Sequence, residues 1–185
     1  MDMAIGAIVI TVCAIGGLAA FVFNRLVRAR NQVREGWSGI DVQLKRRHDL
    51  VPLLVECAKG YRAHEASLLE RLTEARASAL SAQDLPTLGM AENDLAKRLG
   101  TVVAVAEAYP ELKASQSFQQ LSASLVEIEE QLQFARRYYN GAVRDYNILV
   151  ESFPSLLAAR LFGFGKREFF EVESALERTA PEVKL

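Results

Sequence analysis

At 185 residues the chain has room for one ordinary domain and a short accessory segment. Its 22 Lys and Arg nearly cancel its 23 Asp and Glu, a balance that excludes the basic excess of a nucleic-acid binder. Two cysteines exclude a disulfide framework: Cys13 lies in an apolar N-terminal run, and Cys57 reads as a small buried hydrophobe in a reducing compartment.

From Met3 to Phe23 no residue carries a charge. A hydrocarbon core about 30 Å thick needs about 20 helical residues, and this run supplies them. The leader Met1-Asp2-Met3 lacks the basic stretch of a cleaved secretory signal, and branched Val12 disfavours lipoprotein processing at Cys13. Residues 1–24 are therefore expected to form a retained signal-anchor, a single transmembrane helix. Arg25, Arg28, Arg30 and Arg34 crowd its C-terminal side. The positive-inside rule then puts the N-terminus outside and the remaining chain in the cytoplasm.

Beyond the anchor, apolar residues recur at spacings of three and four. Val33, Trp37, Ile40, Leu44 and Val51 form a first seam, on which Trp37, the only tryptophan, is expected to be largely buried. Leu54, Ala58, Tyr61, Leu68, Leu72, Ala75 and Ala79 form a second. Leu88, Leu95, Leu99, Val102, Ala106 and Tyr109 form a third, stopped by Pro110. The longest runs from Phe118 through Leu121, Leu125, Ile128, Leu132, Ala135, Tyr139, Ala142, Tyr146 and Leu149 to Phe153. Ser117 with Gln120 makes a capping box at its start, and Pro154 ends it.

The first two seams keep phase across Pro52, which fits one kinked helix. Asp49 as a cap with Pro52 in a first turn fits two helices instead, and gives segments of comparable length. The split is the expectation here. The fold class is then all-α: an N-terminal transmembrane helix, followed over residues 25–154 by an antiparallel up-and-down four-helix bundle with long coiled-coil-like helices. Residues 155–185 follow as a C-terminal segment. Its Leu156, Leu157, Leu161, Phe162 and Phe164, punctuated by Arg160, Lys166 and Arg167, fit either a fold-back on the bundle end or a contact with lipid. A loosely ordered tail is expected to finish the chain.

These residues resemble the LemA family of bacterial membrane proteins. The resemblance rests on the stretch Ile40 to Pro52, on Lys59-Gly60-Tyr61 with His64-Glu65, and on Ala108 to Lys113. Tyr139-Asn140, Tyr146-Asn147 and Phe153-Pro154 complete it; Leu53 stands where the family usually has Asn. It implies an N-terminal anchor, a four-helix bundle, a place in the bacterial inner membrane and no established enzymatic activity. A family member that takes part in forming magnetosome membranes implies, by analogy, a scaffolding or membrane-organising role.

Lys45-Arg46-Arg47-His48 is the one dense basic cluster, with Asp49 beside it. Lys45 lies 22 residues past Phe23, about 33 Å along a straight helix, so attraction to headgroups is screened there. A basic last turn facing the helix dipole, or a protein partner, accounts for it. His64-Glu65 has no second histidine four residues on, so the metalloprotease pattern fails. Glu65 on an apolar seam reads as a structural pair with an arginine such as Arg76 or Arg136. Tyr139-Asn140 and Tyr146-Asn147 repeat at seven residues and read as satisfied core positions. No catalytic group, metal ligand, cofactor, nucleic acid or small-molecule substrate is expected. The expected partners are the membrane and either a second protein or a second copy. The function that follows is a membrane-anchored scaffold or adaptor; a self-assembling membrane organiser, and then an enzyme with a polar site around Glu65, rank below it.

Overall fold

The structure, a computed structural model, describes residues 2–59 and 66–171, with side chains for residues 4–59 and 67–171. It is all-α, with no strand among the described residues. Its helices are α1 (Asp2–Lys59), α2 (Ala66–Ser81), α3 (Leu85–Ala106), α4 (Pro110–Ala114), α5 (Gln116–Glu151) and α6 (Ser155–Leu161). Glu65 and its expected arginine pair, His64, and the C-terminal tail from residue 172 lie outside the described residues.

Among the described residues six helices stand where a four-helix bundle was expected, and the largest difference is at Pro52. The chain does not divide there: α1 continues without a break to Lys59, with Pro52 inside it. Val51 and Leu54 flank the proline and are both buried, so a single helix keeps two core positions in phase. A proline inside a helix removes the N–H that would bond to the carbonyl four residues earlier, here that of His48. The guanidinium of Arg76 on α2 replaces it, its Nε donating to the His48 carbonyl oxygen at 2.8 Å. Segments of comparable length also arise without a split. The stretch from Ala4 to Phe21 is exposed, and burial begins only at Val22. The part of α1 that packs, Val22 to Lys59, therefore matches the 36-residue α5.

The ends of the other helices follow local chemistry. Asp84 caps α3, its Oδ1 accepting from the Thr87 amide at 2.8 Å, with Pro86 in the first turn. That hydrogen bond holds the Asp84 carboxyl below the usual carboxylate value. Pro110 does more than stop the third seam: it opens α4. The capping box expected at Ser117 is not formed, because α5 opens at Gln116 and leaves Ser117 inside its first turn.

The chain packs as two compact units, one from the described residues of 1–38 and 135–169, the other from those of 39–134 and 170–185. In the first, Val22, Leu26, Ala29 and Val33 of α1 and Tyr139, Val143, Tyr146 and Val150 of α5 are buried. A Cβ on Gly36 would meet the Tyr139 Cα at 2.9 Å, so glycine permits a backbone approach that no other residue would. The seam thus runs Val33–Gly36–Ile40, and Trp37 is displaced to its flank. Trp37 is half-buried rather than largely buried, its ring edge-on to Tyr139 at 5.5 Å. After α6, Gly163 adopts φ +71°, and the Phe164 amide donates to the Ala159 carbonyl at 2.9 Å, a left-handed helix end that turns the chain back. The second unit holds a core of Val51, Leu54, Leu69, Leu72, Ala75, Leu95, Leu99, Val102, Leu112, Phe118 and Leu125.

The bond from Arg76 to the orphaned His48 carbonyl can be tested by a double-mutant cycle. Arg76→Met should destabilise the full chain in detergent by about 1–2 kcal/mol, since a carbonyl in the helix loses its only donor. In a Pro52→Ala background, where residue 52 regains an amide, the same change should cost clearly less in urea unfolding. Equal costs in both backgrounds would disprove the compensation.

Candidate functional site

The described polar side chains converge most densely inside the second unit, where α1, α2, α3 and α5 each contribute. Arg47 of α1 is 1% exposed and Glu92 of α3 is 0% exposed. Arg47 Nη2 donates to Glu92 Oε2 at 2.8 Å, and its Nη1 to Glu129 Oε1 of α5, also at 2.8 Å. His48 Nε2 lies 2.7 Å from the other oxygen of Glu92. The His48 carbonyl is the one that takes the Arg76 donor. One carboxylate thus binds two cationic-type side chains, and one guanidinium binds two carboxylates. Arg47 Nε remains buried with no hydrogen-bond partner among the described residues.

Burying these groups costs several kcal/mol per charge before pairing, and the mutual attraction offsets it only when the geometry is good. Here both Arg47 contacts are short and charge-assisted. The cluster can hold four helices in one register. It has little to offer a substrate: Glu92 presents no surface to solvent. No group of three or more His, Cys, Asp or Glu side chains is arranged to hold a metal ion among the described residues.

The residues singled out from the sequence fall in different places. Arg47 and Arg76 meet at this cluster, whereas Lys45, Arg46 and Asp49 on the same stretch of α1 are exposed. Arg46 reaches only Gln43 at 3.3 Å and Glu127 at 3.9 Å. The helix-dipole account of the basic run does not apply, because α1 does not end there. Arg136 and Asn140 of α5 are half-buried and have interactions of their own. Tyr139, Tyr146 and Asn147 belong to the first unit. Tyr146 is buried, Tyr139 donates from its hydroxyl to the Glu168 carbonyl at 2.9 Å, and Asn147 exchanges two bonds with the backbone of Arg167. These two side chains bind the segment that follows α6.

Glu92 and Glu129 were not anticipated. The signal for Glu92 was present: the third seam jumps from Leu88 to Leu95, and Glu92 fills the missing position at spacings of four and three. The first seam jumps likewise from Leu44 to Val51, and Arg47 fills it. Opposite charges filling vacancies in two apolar seams mark a buried pair.

Residues 36–185 match the LemA family. The chain belongs to the LemA family. Among similar proteins, magnetosome protein MamQ 2 of Paramagnetospirillum magneticum is 25% identical, the match covering 83% of this chain and 66% of the relative. Magnetosome protein MamQ of Magnetospirillum gryphiswaldense is 22% identical with the same coverage. Protein LemA of Metamycoplasma hominis is 28% identical over 75% of this chain and 63% of its own length. This LemA-family chain thus spans just under two thirds of the length of these relatives. The described residues of its second unit and of α5 all lie within the family match that begins at Gly36, whereas the apolar run lies before it.

Two outcomes are expected. Glu92→Ala should destabilise the chain by about 3–5 kcal/mol, since it strands Arg47 in the interior. Combining Glu92→Leu with Arg47→Met should cost less than Glu92→Ala alone; urea midpoints showing simple addition would mean the two side chains are not coupled. The second concerns pH. Burial raises the Tyr139 phenol above its ordinary 10.0, with Arg167 lowering it and Glu168 raising it to smaller extents. The folded state therefore favours the protonated phenol, a contribution present in full below about pH 10 and lost as pH climbs through the raised value. Tyr139→Phe should shrink the alkaline loss of stability; an unchanged alkaline limb would contradict that.

Proposed function

We propose that this LemA-family protein is a membrane-anchored, non-catalytic helical-bundle scaffold or adaptor acting at the inner face of the bacterial cytoplasmic membrane. The observation that carries the reading is the first part of α1. Among the described residues it is the one helix long and apolar enough to cross a membrane, and only 6% of its most apolar window is buried. A core helix would be covered on at least one face. Bare Ile8, Ile10, Val12, Ile15 and Phe21 call for lipid as their surroundings.

In this reading residues 1–24 are the anchor, 25–154 an up-and-down bundle and 155–185 a C-terminal segment. The neighbours Gly36 and Tyr139, and Arg47 and Glu129, support an antiparallel course of α1 and α5. The arginines from Arg25 to Arg34 support a cytoplasmic bundle with the N-terminus outside. The described ionic cluster spends its bonds internally, which supports organisation over catalysis. A second reading, a self-assembling membrane organiser, draws on the relatives whose names are magnetosome proteins.

Protease added to intact cells should spare the bundle, and neutralising Arg25, Arg28, Arg30 and Arg34 together should produce mixed orientation. Digestion from outside would overturn the placement. Crosslinking in the membrane followed by pull-down should recover one stoichiometric partner; self-adducts alone would favour the second reading.

A further inference from the structure

The pattern of α6 is inverted. Its small residues Ser155 and Ala159 are buried, while Leu157 and Leu161 are 61% and 78% exposed on one face. Phe153 just before it is 80% exposed, and Phe162 just after it 57%. Water selects the opposite arrangement, with large apolar side chains inward and small polar ones outward. Four large exposed apolar residues within ten positions are more than scattered surface groups, and such a concentration marks an interaction surface.

The place of this patch says what covers it. Phe162 packs edge-on against Phe23 with ring centroids 4.9 Å apart, and Phe164 packs on the same ring at 5.8 Å. Phe23 is the last residue of the uncharged run, two positions before Arg25. The end of α6 is thus pinned to the level at which the apolar stretch of α1 gives way to charge. Three further contacts hold it there: the Arg30 guanidinium lies 5.0 Å from the Phe164 ring centre, Tyr139 binds the Glu168 carbonyl, and Asn147 binds Arg167. Exposed cations stand nearby in the chain: Arg25 and Arg28 follow Phe23, and Arg160 lies within α6. Of the neighbouring acids, Glu151 is paired with Lys166 and Asp145 with Arg144. Exposed aromatic and aliphatic side chains with basic residues beside them in sequence, at the level where the apolar run ends, fit the interfacial layer of an anionic bilayer.

We propose that Phe153, Leu157, Leu161 and Phe162 form a second membrane contact, seated in the interfacial layer of the leaflet through which α1 leaves the bilayer. The contact rests on the reading of α1 as a span. It makes attachment two-pronged: one helix across the bilayer, and one short helix lying in its surface. Arg160, between the exposed leucines in sequence, faces the phosphate layer.

The single tryptophan makes the test direct. The full chain is reconstituted in vesicles of phosphatidylcholine and phosphatidylglycerol, with part of the phosphatidylcholine brominated on its acyl chains. Native Trp37, fourteen residues past Phe23 and about 21 Å further along α1, sets the unquenched baseline. In a Trp37→Phe background, Leu161→Trp and Leu157→Trp should each lose at least about half as much fluorescence to bromolipid as Ile10→Trp in the span. Quenching at Ile10→Trp without quenching at either leucine position would leave the span standing and overturn the surface contact. A blue-shifted but unquenched Leu161→Trp would overturn it too, and point to a second copy as the cover. No quenching at Ile10→Trp would remove the span, and this contact with it.

Discussion

A guanidinium and a carboxylate that have both left water cannot remain apart. Arg47 and Glu92 meet that condition, and the helices carrying them have little freedom once the pair forms. The constraint spreads outward from there. Glu92 takes His48 on its second oxygen, Arg47 takes Glu129 with its second nitrogen, and the backbone of His48 takes Arg76. Sliding any of α1, α2, α3 or α5 by one residue would break at least one of these bonds and strand a buried polar group. Apolar seams tolerate such slips, because one leucine can stand in for another. Charged groups of fixed geometry do not, and this protein sets a polar lock within its oiliest layer.

Much of the helical content was legible because amphipathic period and proline position are local properties. The uncharged run to Phe23, the long α5 and the end of α3 before Pro110 all follow from such signals. Pro52 was misread for a non-local reason. Nothing in the neighbourhood of residue 52 says that a side chain 24 positions later, Arg76, will donate to the carbonyl the proline leaves bare. Trp37 was misjudged because the seam was assigned to the larger residue, when backbone proximity at Gly36 needs the smaller one. The ionic cluster was half legible. Arg47 was noticed as part of a basic run, yet the vacancies it and Glu92 fill in their seams are what identify the pair. Which carboxylate meets which cation depends on the order of helices around the core, and no periodicity encodes that.

Membership of the LemA family and the inventory of the site agree in emphasis. The match begins at Gly36, so the family pattern covers the polar lock and the Tyr139 and Asn147 side chains that hold the C-terminal segment, while the apolar run stands before it. The parts built with the most specific geometry are those that fix helices to one another. Among the described residues these polar groups are spent on internal fit: Glu92 is enclosed, Asn147 clamps a backbone, and Tyr139 holds a carbonyl.

The continuity of α1 has a mechanical corollary. A helix that leaves a bilayer through a flexible linker isolates the body it carries from the lipid. Here the helix that holds the apolar run continues past Phe23 and Trp37 with no linker between them. Changes in bilayer thickness alter the tilt of a span. Over the fourteen residues from Phe23 to Trp37, a tilt change of about 10° displaces the indole sideways by about 4 Å. That is the diameter of a methyl group, enough to matter against a partner surface. If the apolar run spans the bilayer as proposed, the thickness of the surrounding membrane becomes a mechanical input to the stretch of α1 that follows Phe23.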